Sequence, residues 1–566
     1  MTRFLIRFSA FLPVFLAVVL PLRAQDLETI DEAAPFTLTG SVSATVSGSV
    51  RSGGGEARYD PSAWTLSGSM TPTVYTVQLP FSFLLSSYDR SITQPFNQFG
   101  MSPSYKSLRG HFGYRSMSMS RYTLQGITFL GAGLEFNPGL IEVQGMVGRL
   151  QRAVEEDTTR LAVAPAYERW GQAVKVAFGD EVTRFEASWF HAKDDTASLR
   201  RPFLKADIAP QENTAFGGLL RFGIVDGVSV EAEGGASIVT ANLRSGSVDL
   251  GSTSVPKVIG DIHDVRSSSR LNLAGRAAIS YRGDGYGLQL GYEYVEPEFQ
   301  SLGGNTFTTD VANLTIAPNV SLLEGQIQLS GSVGLQHDNL LGTRIARTNR
   351  VIGSLNASYN TETFGVSANY SNFSVDQQAG RAPVNDSIRA RSVTQSAQLV
   401  PRLTLSNEET SQSYSLLGGV QDYTDLNANT AQLTSNRSFT GGIVYSLALL
   451  KSRMSAGASL TGTAVETAGG STTTTLSGSL SGGMTMLEQD ALNLNAALTA
   501  SRTTATGIAG ASLTFGATLG AGWRATTLDN LTASVALTSS TSGAGLPGFT
   551  DLSGSLTYTR SFSIFE

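Results

Sequence analysis

The chain has 566 residues, with 40 Lys and Arg against 46 Asp and Glu, a net charge of −6, and no Cys. The mild acidity argues against a nucleic-acid partner, which needs clustered cations, and the lack of Cys excludes disulfides, thiolate metal sites and a lipidated cysteine. Only 15% of residues are charged, against about 25% in ordinary soluble domains, yet past the first two dozen residues no segment is apolar for long enough to span a bilayer as a helix.

Residues 1–24 read as a signal peptide: Arg3 and Arg7 form the basic end, Phe8 to Leu20 a short apolar core, and Leu22-Arg23-Ala24 a small-residue cleavage site before Gln25. The apolar run is short and wrongly flanked for an anchor helix. Residues 25–35 form a short acidic lead. From Phe36 onward the sequence falls into paired segments, apolar at every second position and joined by tight turns.

Residues 270–297 show the pattern well. Leu271, Leu273, Gly275, Ala277, Ile279 and Tyr281 share one face, and Asn272, Arg276, Ser280 and Arg282 share the other. After Gly283-Asp284-Gly285 the return segment sets Tyr286, Leu288, Leu290, Tyr292 and Tyr294 against Gln289 and Glu293. A period of two means strand, and about ten tilted residues cross the hydrocarbon core. Strands can do so only in a closed barrel, because lipid cannot satisfy open edges. The expected fold is therefore all-β: an antiparallel, up-and-down transmembrane β-barrel of about 24 to 26 strands, spanning 36–566 as one domain.

Turn lengths add a direction. Tight turns near Gly179-Asp180, Asp226-Gly227, Asp284, Glu324-Gly325, Glu362, Lys451, Gln489 and Leu528-Asp529 alternate with longer polar stretches at 194–212, 243–269, 377–391 and 541–550. Short periplasmic turns and long outer loops are the outer-membrane arrangement, which places both termini in the periplasm.

Residues 89–126 break the rhythm, with Pro95, Asn97, Gly100 and Pro103 interleaved with aromatic and basic groups. Lys106, Arg109, His111, Arg115 and Arg121 do not suit a lipid face, where a Lys or Arg costs about 2–4 kcal/mol at the midplane. Their expected place is the lumen, in an inward constriction. The competing reading is two irregular strands and a periplasmic turn. Arg184, Glu186, Glu231, Glu233, Arg276, Arg282 and Glu293 also fall on inward faces, either as a mixed-charge lining or as structural ladders. Beyond Met454 the inward positions turn to Ser, Thr, Asn, Gly and Ala.

The segment 89–157, with Phe129-Leu130-Gly131-Ala132-Gly133-Leu134-Glu135 and Gly148-Arg149-Leu150, resembles one shared by large, poorly characterised, porin-like outer-membrane barrel proteins of Gram-negative bacteria. The final alternation Leu556, Tyr558, Phe562, Ile564 also resembles the aromatic-ended last strand that the outer-membrane insertion machinery recognises, although Glu566 follows Phe565. The resemblance implies an outer-membrane barrel surrounded by lipid, with no known substrate.

Sequence spacing offers no enzyme and no cofactor. His111, His191, His263 and His337 are scattered without metal-ligand spacing. Asp194-Asp195 and Glu155-Glu156-Asp157 could offer oxygens to calcium but read as solvated loop tips. No G-x-S-x-G elbow precedes a helix and few His could serve as a base, which leaves His111 with a nearby strand serine as a candidate for hydrolysis. The expected function is a channel for passive passage of small polar solutes. The alternative is a barrel subunit of a secretion or assembly complex, its lumen filled by a protein partner. An energy-coupled receptor lacks room for a plug before Phe36, and a secreted β-solenoid adhesin would repeat at a fixed period.

Overall fold

A computed structural model describes residues 34–54, 61–87, 97–156, 164–201, 208–248, 257–304, 308–387, 389–508, 510–543 and 547–564. The proposed signal peptide, most of the acidic lead, Pro95, Asp157, Phe565 and Glu566 lie outside the described residues. The strands are β1 (Thr37–Gly53), β2 (Ser62–Val74), β3 (Val77–Gln78), β4 (Phe81–Ser86), β5 (Gln98–Met101), β6 (Ser104–Tyr105), β7 (Leu108–Ser118), β8 (Gln125–Phe136), β9 (Ile141–Gln151) and β10 (Glu168–Gly179). There follow β11 (Arg184–Asp195), β12 (Glu212–Val225), β13 (Val228–Thr240), β14 (Ser269–Arg282), β15 (Tyr286–Val295), β16 (Val311–Leu322), β17 (Ile327–His337), β18 (Ala346–Asn360) and β19 (Phe364–Ala379). The chain ends with β20 (Arg391–Ser406), β21 (Thr410–Asp425), β22 (Asn436–Leu449), β23 (Met454–Thr467), β24 (Thr472–Met486), β25 (Leu492–Ala505), β26 (Ser512–Arg524), β27 (Asp529–Ser540) and β28 (Phe549–Ile564). Among the described residues two short α-helices, α1 (Lys257–Ile262) and α2 (Ala431–Thr434), sit in long loops.

The wall closes where β1 pairs antiparallel with β28, from Leu38↔Ile564 to Gly53↔Phe549. β3 with β4, and β5 with β6, are each one wall strand interrupted at Pro80 and at Pro103, where proline supplies no N–H to the ladder. The result is a closed antiparallel barrel of 26 strands, within the expected range. Pro318 and Pro401 leave smaller gaps: the β16–β17 ladder lapses between Ile316↔Val333 and Asn319↔Ser330, and the β20–β21 ladder between Leu399↔Gly418 and Arg402↔Ser415.

The expected 270–297 hairpin has the expected faces: Ile279↔Leu290 and Tyr281↔Leu288 pair on one side, Arg276↔Glu293 and Ser280↔Gln289 on the other. The apolar face points outward all round the barrel, and Leu271, Leu480 and Leu519 are each more than 60% exposed. So large a continuous apolar surface suits lipid and not water. Aromatic pairs gather on this face toward the tight turns, including Tyr281–Tyr286, Phe185–Phe222 and Tyr414–Tyr445, like the aromatic girdles of membrane barrels. Gly227 and Gly285 reverse the chain at positive φ, 78° and 79°. Both described ends of the chain lie at the tight-turn end.

Apart from Ala63, the buried apolar side chains among the described residues lie between Met117 and Ala312. The principal cluster joins Met117, Phe129, Met146, Leu150 and Phe190, at strand positions facing away from the apolar belt, to Leu124 and Leu302 from two loops. The hydrophobic core is therefore inside the barrel, against one part of its wall.

Candidate functional site: an inward plug and the wall it leaves bare

Two loops from the long-loop end build this core. The β7–β8 loop, 119–124, turns inward to strands far away around the wall: Ser120 Oγ donates to Glu233 Oε1 at 2.9 Å, Arg121 N donates to the same oxygen at 3.1 Å, and Thr123 Oγ1 lies 3.1 Å from Ser188 Oγ. The β15–β16 loop comes to meet it. Ser301 Oγ donates to Thr123 O at 2.5 Å, Gln125 N to Gly303 O at 2.8 Å, and Leu302 N to Asn213 Oδ1 at 3.0 Å. Tyr122 packs edge-on against Phe299, with ring centroids 5.7 Å apart, and burial pushes its hydroxyl up to about 12.

The sequence permits this approach at two glycines. A Cβ on Gly235 would collide with Cβ of Tyr122, and one on Gly217 would sit 2.8 Å from Ser120 Oγ. Only a wall without side chains there lets the loop backbone lie against it.

The plug is held by charge as well as by packing. Arg121 Nη2 reaches Glu293 Oε1 at 3.0 Å, Arg276 Nε donates to Glu233 Oε2 at 3.0 Å, and Arg221 Nη2 to Glu231 Oε2 at 2.6 Å. Arg276 Nη2 also reaches Glu231, at 3.3 Å. A neighbouring network joins Lys175 Nζ to Glu142 Oε1 at 2.8 Å and Arg184 Nε to Glu186 Oε1 at 2.5 Å, with Arg184 also on Glu142. Paired in this way, the charges act as cross-strand ladders. Several of them line a cavity of about 690 Å³ beside the plug, with Arg121, Glu186, Glu233, Arg276, Glu293 and Gln336 in its walls.

The candidate inward segment narrows accordingly. Residues 98–118 belong to the wall as interrupted strands, because their amides pair with β3, β4 and β8 or cap the proline breaks; among the described residues of 89–126, it is 119–124 that enters the lumen. Arg109, His111 and Arg115 sit on the inner face of β7, where Arg115 Nη1 donates to Ser82 Oγ at 2.7 Å and its Nη2 to Gly100 O. Lys106 is a correction: it takes φ 51° in a tight turn, with its ammonium 5.5 Å from the Tyr105 ring, and is no constriction residue. Arg282 is exposed at the tight-turn rim. Asp194, read from sequence as a solvated loop tip, is buried and takes Arg169 Nε at 2.6 Å.

His111 does find a serine. Its Nδ1 is 3.0 Å from Ser102 Oγ and its Nε2 3.4 Å from Glu135 Oε1, a hydroxyl, imidazole and carboxylate in sequence. Neither adjacent backbone position can serve as an oxyanion donor: Ser102 N is bonded to Pro80 O at 2.8 Å, and Pro103 has no N–H. The set ties the irregular strands together.

The opposite wall is different. From β22 to β27 the inner positions are hydroxyls, small residues and Asn, with Val444 and Val465 among them and Arg524 at the rim. Hydroxyls bond across strands, as in Ser459–Ser479 at 2.7 Å, Thr475–Thr503 at 3.0 Å, Ser534–Ser555 at 2.8 Å and Ser43–Thr559 at 2.7 Å.

The tertiary structure also assembles a group that spacing concealed. His191, Glu212 and His263 are all buried, and a ligand atom from each lies within 4.8 Å of the others. Burial lowers His263 to about 4, so its imidazole is neutral. No sequence signal pairs residues 21 and 51 positions apart in different elements; β11–β12 pairing and the placement of His263 after α1 join them.

No family model matches the sequence, and no curated protein matches it. Among solved structures, the chain is similar to the P pilus usher (PapC) translocation pore, with a TM-score of 0.37, 11% identity, and coverage of 93% of this chain and 100% of that one. It is also similar to Acinetobacter baumannii OccAB4, at a TM-score of 0.28 and 8% identity over 94% and 100% of the two chains. For Pseudomonas aeruginosa OpdK, solved with vanillate, the values are 0.29, 11%, 93% and 99%. The fold and site described above rest on this chain's own registers and contacts, not on these likenesses.

Proposed function

We propose that the chain is an outer-membrane channel through which small polar solutes pass passively, with tight turns and both termini in the periplasm. The observation that carries this reading is the one-sided plug: among the described residues, two inward loops cover the wall near β11–β15 and none covers the hydroxyl wall from β22 through β28 to β1. A solute would move between them, meeting hydrogen-bonding groups on one side and paired charges on the other. Bilayer lipid surrounds the apolar belt.

Planar-bilayer conductance of the purified barrel tests this, alongside a variant in which 119–124 is replaced by Gly-Gly. The expected result is ohmic conductance that rises in the variant. Absence of conductance in both would favour the second reading, a non-enzymatic barrel subunit of a secretion or assembly complex. The bare wall supports that reading too, since it leaves room for a protein partner.

A further inference from the structure

At the long-loop rim a second polar cluster lies on the outer face of the wall. His191 on β11, Glu212 and Thr214 on β12, and Thr240 on β13 continue the strand faces that lower down carry Phe185, Phe216 and Val230. Immediately after α1, His263 is laid over them. The three potential ligands are nearly sealed, with His191 7%, Glu212 2% and His263 2% exposed.

We propose that His191, Glu212 and His263 bind a divalent transition-metal ion, zinc being the best match, which clamps the loop around His263 to the barrel rim. Two imidazoles and a carboxylate are a common zinc donor set. Donors about 2 Å from a tetrahedral ion lie about 3.3 Å from one another, so a cluster already within 4.8 Å closes by side-chain rotation.

The surroundings orient the ligands as an outer shell does. His191 Nδ1 is 2.9 Å from Thr214 Oγ1. His263 has a hydroxyl on each nitrogen, Thr214 at 3.1 Å on Nδ1 and Thr240 at 2.8 Å on Nε2, so coordination through either leaves the other supported. Thr240 Oγ1 is itself fixed, 2.5 Å from Ser269 Oγ and 3.1 Å from Asp264 O. One Glu212 oxygen faces Lys193 Nζ at 3.1 Å, and the other is 3.7 Å from His191 Nε2, on the side where the ion would bind. Lys193 is balanced by Asp264, with which it also pairs.

The test is zinc titration of the full-length barrel in detergent after chelator treatment, with bound metal counted by mass spectrometry and Co²⁺ used as a visible-absorption probe. One ion per chain is expected, with loss of stoichiometric binding in His191→Ala and in His263→Ala. Thr240→Val, which removes outer support and no ligand, should weaken binding about 10- to 100-fold. Heat-modifiable gel migration establishes that each variant is a folded barrel, and Glu212→Gln, nearly isosteric, replaces any variant that is not. No stoichiometric zinc on the parent protein, or equal binding by the folded ligand variants, would overturn the proposal.

Discussion

The wall around β11–β15 and the wall from β22 through β28 to β1 share antiparallel pairing and an apolar outer face, yet their inner faces do opposite things. The first carries charges, glycines and large apolar groups, and two loops have settled on it. The second carries mostly Ser, Thr and Gly, its hydroxyls bond to one another, and its charges lie near the rims, as in the Arg51–Asp551 pair. An inner wall holds a plug where it offers apolar surface to bury and buried charge to answer; a wall of self-satisfied hydroxyls offers neither.

The largest effect should come from the core under the plug. Phe190, fully buried, becomes a cavity in Phe190→Ala, which should cost about 3–5 kcal/mol in chemical unfolding of the barrel. Leu498→Ala on the bare half, where Leu498 is 60% exposed on the outer face, should cost far less in the same assay. Equal losses would mean that the two halves are not stabilised differently.

Glu233→Ala comes next. It strips Ser120, the Arg121 amide and Arg276 of their shared partner, and breaking such a buried pair costs about 3 kcal/mol. The plug should loosen and single-channel conductance should rise. Gly235→Val acts by sterics alone: its side chain takes the place of Tyr122, at about 1–3 kcal/mol. It too should raise conductance; unchanged conductance in both variants would separate the plug from the path.

The hydroxyl wall should respond in the other sense. Ser479→Ala removes one hydrogen bond with Ser459, worth about 0.5–1.5 kcal/mol, and should leave conductance nearly unchanged. Ser479→Glu should barely alter stability but shift the reversal potential in a salt gradient toward cation preference. A shift equal to that of a glutamate placed at an outer loop tip would remove the bare wall from the solute path.

Much of the architecture was legible in the sequence because a barrel repeats one local rule. Period-two alternation sets the two faces of Leu271 to Arg282 without reference to any other strand, and turn length separates the two ends. The hydroxyl face beyond Met454 was equally readable, since charges thin out there. The segment 89–126 was legible only as an irregularity. Nothing local distinguishes 98–118, which stays in the wall, from 119–124, which leaves it; that difference depends on Glu233 and Gly235 more than a hundred residues away. Lys106 went astray because a charge unsuited to lipid can be satisfied in a turn as well as in a lumen.

By itself, then, the sequence determined strand, face, turn and an approximate strand number, because each depends on neighbours one to ten residues apart. Only the tertiary structure decided closure at 26 strands, which half of the lumen is filled, and that His191, Glu212 and His263 meet. These depend on contacts made through the lumen or across the rim, and on the register that puts Arg276 beside Glu233 and Glu293. Alternation says which way a side chain points, but the curvature of the closed wall decides what it points at.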